Sequence, residues 1–133
     1  MYSTATVKQI LDRKGRVVHA VEPDTPVHAA LELMSAKNIG ALIVIEDEKL
    51  AGIFSERDYA RRVILAGKNE RETRVGEVMT NQVIGVKIHQ KVTECLALMT
   101  DKFIRHLPVV NDELQVVGVV SIGDLVKELA AEQ

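Results

Sequence analysis

The sequence predicts an α/β (α+β) fold of two pseudo-symmetric strand–helix–strand–strand–helix repeats packed sheet to sheet. Three observations carry this expectation. The chain duplicates itself at a nearly constant offset, each copy has the same order of hydrophobic patterns, and neither copy has enough strands or apolar surface to stand alone. Laying residues 25–34 over residues 90–99 puts Val27 on Val92 and Met34 on Met99, an offset of 65 residues. The same offset pairs Ile39 with Ile104, Leu42 with Leu107 and Val44 with Val109. One extra residue in the second copy's turn moves the offset to 66, and Gly52, Ser55 and Asp58 then fall on Gly118, Ser121 and Asp124. Duplicated structure tolerates a slip of this kind in a turn.

Each element follows from its local pattern. Val7, Ile10 and Leu11 suggest a leading helix that Gly15 ends, giving a lead-in over residues 1–15. Repeat 1 spans residues 16–67 and opens on an alternating strand at 17–21. Thr25 is the expected N-cap of the next helix and Pro26 its first residue, where a missing N–H costs nothing; Val27, Ala30, Leu31 and Met34 form the apolar stripe. Two β-branched runs follow, 41–45 and 50–54, joined by the acidic turn 46–49. A last helix starts at Ser55 and stops at Gly67. Residues 68–74 are polar and read as a linker. Repeat 2, residues 75–131, repeats the order: a strand at 83–86, a helix with the stripe Val92, Cys95, Leu96 and Met99, strands at 107–110 and 114–120, and a helix from Ser121.

Composition narrows the function. The 133 residues are 47% hydrophobic and 27% charged, which suits one soluble compact domain or two half-domains sharing a core. A net charge of −2 offers no field for nucleic acid or an anionic membrane, and with two Tyr, two Phe and no Trp there is little on which to stack bases. No apolar run approaches the ~18 residues of a membrane span. The opening residues Met1 to Thr6 lack the pattern of a signal peptide, and the lone Cys95 suits a reducing compartment; together these point to the cytoplasm.

The most informative motif is Gly-x-x-Ser-x-x-Asp, present at Gly52, Ser55 and Asp58 and again at Gly118, Ser121 and Asp124. One reading is a capping box, with the acid also complementing the helix dipole. The other is a strand end meeting a helix N-terminus, where free N–H groups and a serine hydroxyl hold phosphate and a carboxylate holds a ribose diol. The readings are compatible, since a carboxylate has more acceptor sites than one cap uses.

The duplicated pattern resembles a pair of cystathionine-β-synthase (CBS) domains, over about residues 7–129. The run from Asn38 to Val44 is similar to the family's second-strand opening, and the run from Ile104 to Val110 matches it closely. Glu77-Val78-Met79-Thr80 is similar to the family's inter-repeat segment. The resemblance implies two clefts, each built from both repeats. One combines Ser55, Arg57 and Asp58 with Val83, Ile84, Arg105, His106, Leu107 and Pro108. The other combines Ser121 and Asp124 with Val17, Val18, Gly40, Ala41 and Ile43. It further implies that the Asp binds the ribose hydroxyls, that aliphatic side chains sandwich adenine, and that the protein forms a homodimer. Arg57, Arg105 and His106 lead to the expectation that the Asp58 cleft prefers a phosphorylated ligand, with the Asp124 cleft weaker or less charged.

Other residues suit ordinary roles. His19, His28, His89 and His106 have no metal-ligand spacing, and the single cysteine excludes the usual zinc patterns. Cys95 sits on an apolar stripe and reads as core. Glu56 and Asp58 read as capping acids rather than acid–base catalysts. Arg61 and Arg62 form a solvated face or lie near a ligand phosphate or a partner. No nucleophile–base set or phosphate loop is visible, so no catalysis is expected. The expected function is a regulatory module that binds AMP, ADP or ATP, with NAD next and S-adenosylmethionine behind, and shifts the population seen by an unidentified regulated protein. The alternative is an interaction or oligomerisation module with vestigial clefts.

Overall fold

In a computed structural model, which describes residues 3–132, the duplicated chain forms two packing units. Met1, Tyr2 and Gln133 lie outside the described residues, and with them the opening of the expected lead-in. The first unit is His19–Val83; the second joins the residues up to Val18 with those from Ile84 onward. Packing thus divides the chain differently from the repeat: each unit contains the body of one repeat and the segment that precedes the other.

The first unit holds β1 (Ala20–Val21), α2 (Val27–Lys37), β2 (Ala41–Glu46), β3 (Lys49–Ser55), α3 (Glu56–Asp58) and α4 (Val75–Val78). The second holds α1 (Val7–Lys14), α5 (Val92–Lys102), β4 (His106–Val110), β5 (Val116–Ser121) and α6 (Ile122–Ala131). In the first unit β1 runs parallel and β3 antiparallel to β2; in the second β4 and β5 are antiparallel. The duplication extends to irregularities. A register shift falls between Val44 and Ile45 and again between Val109 and Val110.

Several expectations are corrected. The strand expected at 17–21 is only Ala20–Val21, and that at 83–86 is reduced to a parallel bridge from Val86 to Val109. Pro26 is the N-cap of α2 rather than its first residue. The reason lies in the expected linker. The carbonyls of Thr73 and Glu70 accept from the N–H groups of Val27 and His28, so chain from beyond the repeat caps the helix. Thr25 instead accepts from the Glu22 N–H in the preceding turn. In the second unit the Ala5 carbonyl accepts from Val92 N–H in the same way. The strand expected from Leu114 begins at Val116, because Asn111 Oδ1 accepts from the N–H groups of Glu113 and Gln115 and holds Leu114 in the turn at φ 65°.

The 68–74 segment is therefore packed structure. Thr73 is buried, and Glu70 accepts hydrogen bonds from Tyr59 and pairs with His28. The helix begun by α3 widens into a π-helix over Tyr59–Ile64, with the Leu65 N–H bonding the Ala60 carbonyl. Gly67 at φ 70° turns the chain beyond it, and Gly15 at φ 94° ends α1.

Each unit has its own core. In the first, Val27, Ala30, Met34, Leu42, Val44, Phe54 and Val63 pack with Val75 and Val78 of α4. In the second, Val92, Met99, Leu107, Val109, Val120 and Leu125 pack with Val7, Ile10 and Leu11 of α1. The preceding segments are integral to these cores.

Candidate ligand-binding site

Both copies of the motif form the same local structure. Ser55 ends β3 and caps α3: its hydroxyl accepts from Asp58 N–H at 3.1 Å, and Asp58 Oδ2 accepts from Ser55 N–H at 3.0 Å. Ser121 ends β5 and caps α6, with matching bonds of 3.1 and 2.8 Å. The capping-box reading is thus realised in both copies, and each box uses one carboxylate oxygen.

The strand opening lies beside the box. Ala41 is the register partner of Ser55, and the Gly40 carbonyl accepts from Glu56 N–H at 3.0 Å. In the second unit His106 is the register partner of Ser121, and the Arg105 carbonyl accepts from Ile122 N–H at 3.0 Å. Gly40 leaves room for Glu56, whose Oε1 would stand 3.0 Å from an added Cβ. The structure thus brings Gly40 and Ala41 to Ser55 and Asp58 in one unit, and Arg105 and His106 to Ser121 and Asp124 in the other.

The remaining expected residues divide by unit. Val83 belongs to the first; Val17, Val18 and Ile84 belong to the second. Val17 and Arg57 are exposed, whereas Ile43, Leu107 and Pro108 are buried. Leu107 is wholly enclosed in the second core, so its side chain has a packing role.

Each carboxylate also has a partner outside its own motif. Asp58 is buried; its Oδ1 accepts from the Thr80 hydroxyl at 3.0 Å and lies 3.9 Å from Arg62 Nε. Arg62 also donates to the Met79 carbonyl at 2.8 Å, fixing its position over the end of α4. Asp124 pairs with Lys14 at 2.7 Å, and the same ammonium donates to the Val119 carbonyl at 3.1 Å.

The electrostatics follow. Burial would raise the Asp124 carboxyl, but the Lys14 and Ser121 hydrogen bonds outweigh it and hold the group below the ordinary 3.8. His106 is held below 6.5, first by burial, against the pull of Asp124 and with Lys14 and Arg105 adding to the effect, which favours the neutral ring. Cys95 lies in the core, and burial pushes its thiol up to about 11, which removes it as a nucleophile at neutral pH. His28 is engaged by Glu70 in a structural pair. Among the described residues no helix is long and apolar enough to cross a membrane.

Comparison with known proteins places this geometry in a family. The family model described as "CBS domain" matches residues 6–65 and 75–131. The CBS domain-containing protein CBSX3, mitochondrial, of Arabidopsis thaliana is 37% identical over 140 residues, which cover 98% of this chain and 68% of the relative. The solved structure of a candidate signal-transduction protein with CBS domains from Burkholderia ambifaria MC40-6 is 45% identical and superposes with a TM-score of 0.91, covering 97% of this chain and 96% of that one. The CBS domain pair of protein MJ0100, solved with 5′-methylthioadenosine and S-adenosyl-L-methionine, is 26% identical with a TM-score of 0.81, covering 94% and 99%. With nearly all its length matched by two copies of one family model, the chain belongs to the CBS-domain family.

Proposed function

We propose that the chain is a regulatory module that binds an adenosine-type ligand at the Ser55–Asp58 and Ser121–Asp124 boxes and carries out no chemistry itself. The observation that carries this reading is that each Asp caps its helix through Oδ2 and keeps acceptor capacity beyond the cap: Asp58 Oδ1 takes the exchangeable Thr80 hydroxyl, and Asp124 Oδ2 is shared between the cap and the exchangeable Lys14 ammonium. A ribose diol can replace such a side chain without undoing the cap. The adenosine compounds solved with the MJ0100 pair support the ligand class. Within it we favour AMP, ADP or ATP, because Arg62 beside Asp58 and Lys14 on Asp124 supply phosphate partners; NAD and S-adenosylmethionine follow. Binding shifts the population presented to a regulated protein, in the cytoplasm on this reading.

Thermal denaturation with a panel of adenosine compounds tests this. A ligand at about 100 times its Kd adds about 2.7 kcal/mol of stability. Asp58→Ala and Asp124→Ala should each weaken the response. No stabilisation by any member of the panel would instead favour the interaction-module reading. That alternative has its own support in exposed Ile122 and Val126 on α6 and in Ile64 and Leu65 after the first motif. The homodimer that the same surfaces suggest is read from the mass in solution by light scattering.

A further inference from the structure

Thr80 and Lys14 partner the two boxes from different places along the repeat: the N–H groups of Val75 and Val7 bond the corresponding carbonyls of Thr25 and Gln90, so the lead-in runs at an offset of 68 residues and Thr80 matches Asp12. Thr80 bonds Asp58 through its hydroxyl and Ile53 through its backbone, with bonds of 2.8 and 2.9 Å in both directions. Lys14 bonds Asp124 and the Val119 carbonyl through its ammonium. One box carboxylate is thus partnered by a neutral hydroxyl and the other by a full positive charge.

We propose that Lys14 is the specificity-determining residue of the Asp124 half-site, an internal counter-ion that restricts it to adenosine ligands carrying a 5′ phosphate. The proposal rests on the adenosine reading above. The Lys14 and Asp124 side chains are 36% and 20% exposed, so neither charge is fully solvated. Lys14 sits on Asp124 Oδ2, so a ribose diol that spans both carboxylate oxygens displaces the ammonium, and a charge left without its partner in such surroundings is costly. A phosphate gives Lys14 a new partner; a neutral nucleoside does not, and a sulfonium ligand adds a like charge. His106, the register partner of Ser121, is half-buried, which favours its neutral form and makes it a poor substitute for the ammonium. At Asp58 the Thr80 hydroxyl yields to a diol, and Arg62, 3.9 Å from the same oxygen, keeps the Met79 carbonyl as a partner, so that half-site accepts phosphorylated and neutral ligands alike.

The test is calorimetric titration of the full chain with AMP and with adenosine. Asp58→Ala leaves binding to the Asp124 half-site, and Lys14→Thr or Lys14→Arg is added to it. Circular-dichroism melts establish that each variant is folded. The expected result is that the Asp58→Ala chain prefers AMP to adenosine by about tenfold or more. Lys14→Thr brings the ratio towards one, and Lys14→Arg keeps it. A ratio that Lys14→Thr leaves unchanged, or that Lys14→Arg abolishes equally, overturns the proposal. So does loss of all binding in Asp58→Ala that Lys14→Thr does not restore, since Asp124 is then no site. Failure of the unaltered chain to bind either probe removes the adenosine reading itself.

Discussion

At the scale of single residues, the motif glycines explain themselves by what lies on them. A Cβ at Gly52 would stand 2.6 Å from the Thr80 carbonyl oxygen and 2.8 Å from Met79 Sδ. A Cβ at Gly118 would meet Leu11 Cδ2 at 2.8 Å and Cδ1 at 2.9 Å. The first obstacle is backbone held by reciprocal hydrogen bonds to Ile53; the second is the end of a flexible side chain. Gly52→Ala is therefore expected to destabilise by about 1–3 kcal/mol, and Gly118→Ala by less than about 1 kcal/mol once Leu11 adjusts. Urea denaturation of the pair checks the order, and a Gly118→Ala cost equal to or above that of Gly52→Ala contradicts it. Gly52 and Gly118 were legible as a repeated pattern, but not as contact points, because the segments that cover them lie outside the repeat bodies that carry them.

At the scale of elements, helix ends and the supposed linker hold the testable details. Helices α2 and α5 end at corresponding positions in the left-handed region, Asn38 at φ 54° and Phe103 at φ 55°. Asparagine tolerates that conformation, whereas a phenylalanine there carries strain and is 81% exposed, burying little in return. Phe103→Asn is expected to stabilise by about 0.5–1 kcal/mol in a thermal melt, with Asn38→Phe doing the reverse. The 68–74 segment is latched through Glu70. Its carboxyl is held below the ordinary 4.5, first by the hydrogen bond with His28 and then by that from Tyr59. A depressed carboxylate contributes stability above its unfolded pKa and loses it as pH falls through the folded one. The Glu70→Gln variant should therefore melt below the native chain at pH 7. The gap should close on acidification below 4.5, and a gap constant from pH 7 to pH 3 would exclude the latch. Strand and helix cores followed visible hydrophobic periods, so β2, β3, β4 and α6 were legible. The latch was not, since a short polar run looks the same whether solvated or docked, and only tertiary bonds from Glu70 and Thr73 decide it.

At the scale of the whole molecule, the consequential feature is that each unit is completed by the segment preceding the other repeat. The duplication itself was plain in the sequence, as were the paired acids. Lys14 as the partner of Asp124 was not, because the lead-in shows only the pattern of an amphipathic helix and no repeated motif ties it to the second box. The same helix α1 is an integral part of the second core. Leu11 is 1% exposed and Ile10 3%, and Arg13 and Lys14 pair with Glu128 and Asp124, one turn apart on α6. Removing the buried methyls of Leu11 should cost about 2–5 kcal/mol. The loss has a predicted address. In Leu11→Ala, hydrogen exchange should quicken across α5, β4, β5 and α6, over eighty residues' distance in sequence from the substitution in every case, while β2 and β3, nearer in sequence, keep their protection. If the repeat bodies were the folding units, the pattern would invert, with the nearby first repeat losing protection. Exchange measured by mass spectrometry on the full chain distinguishes the two patterns, and it does so without reference to any ligand.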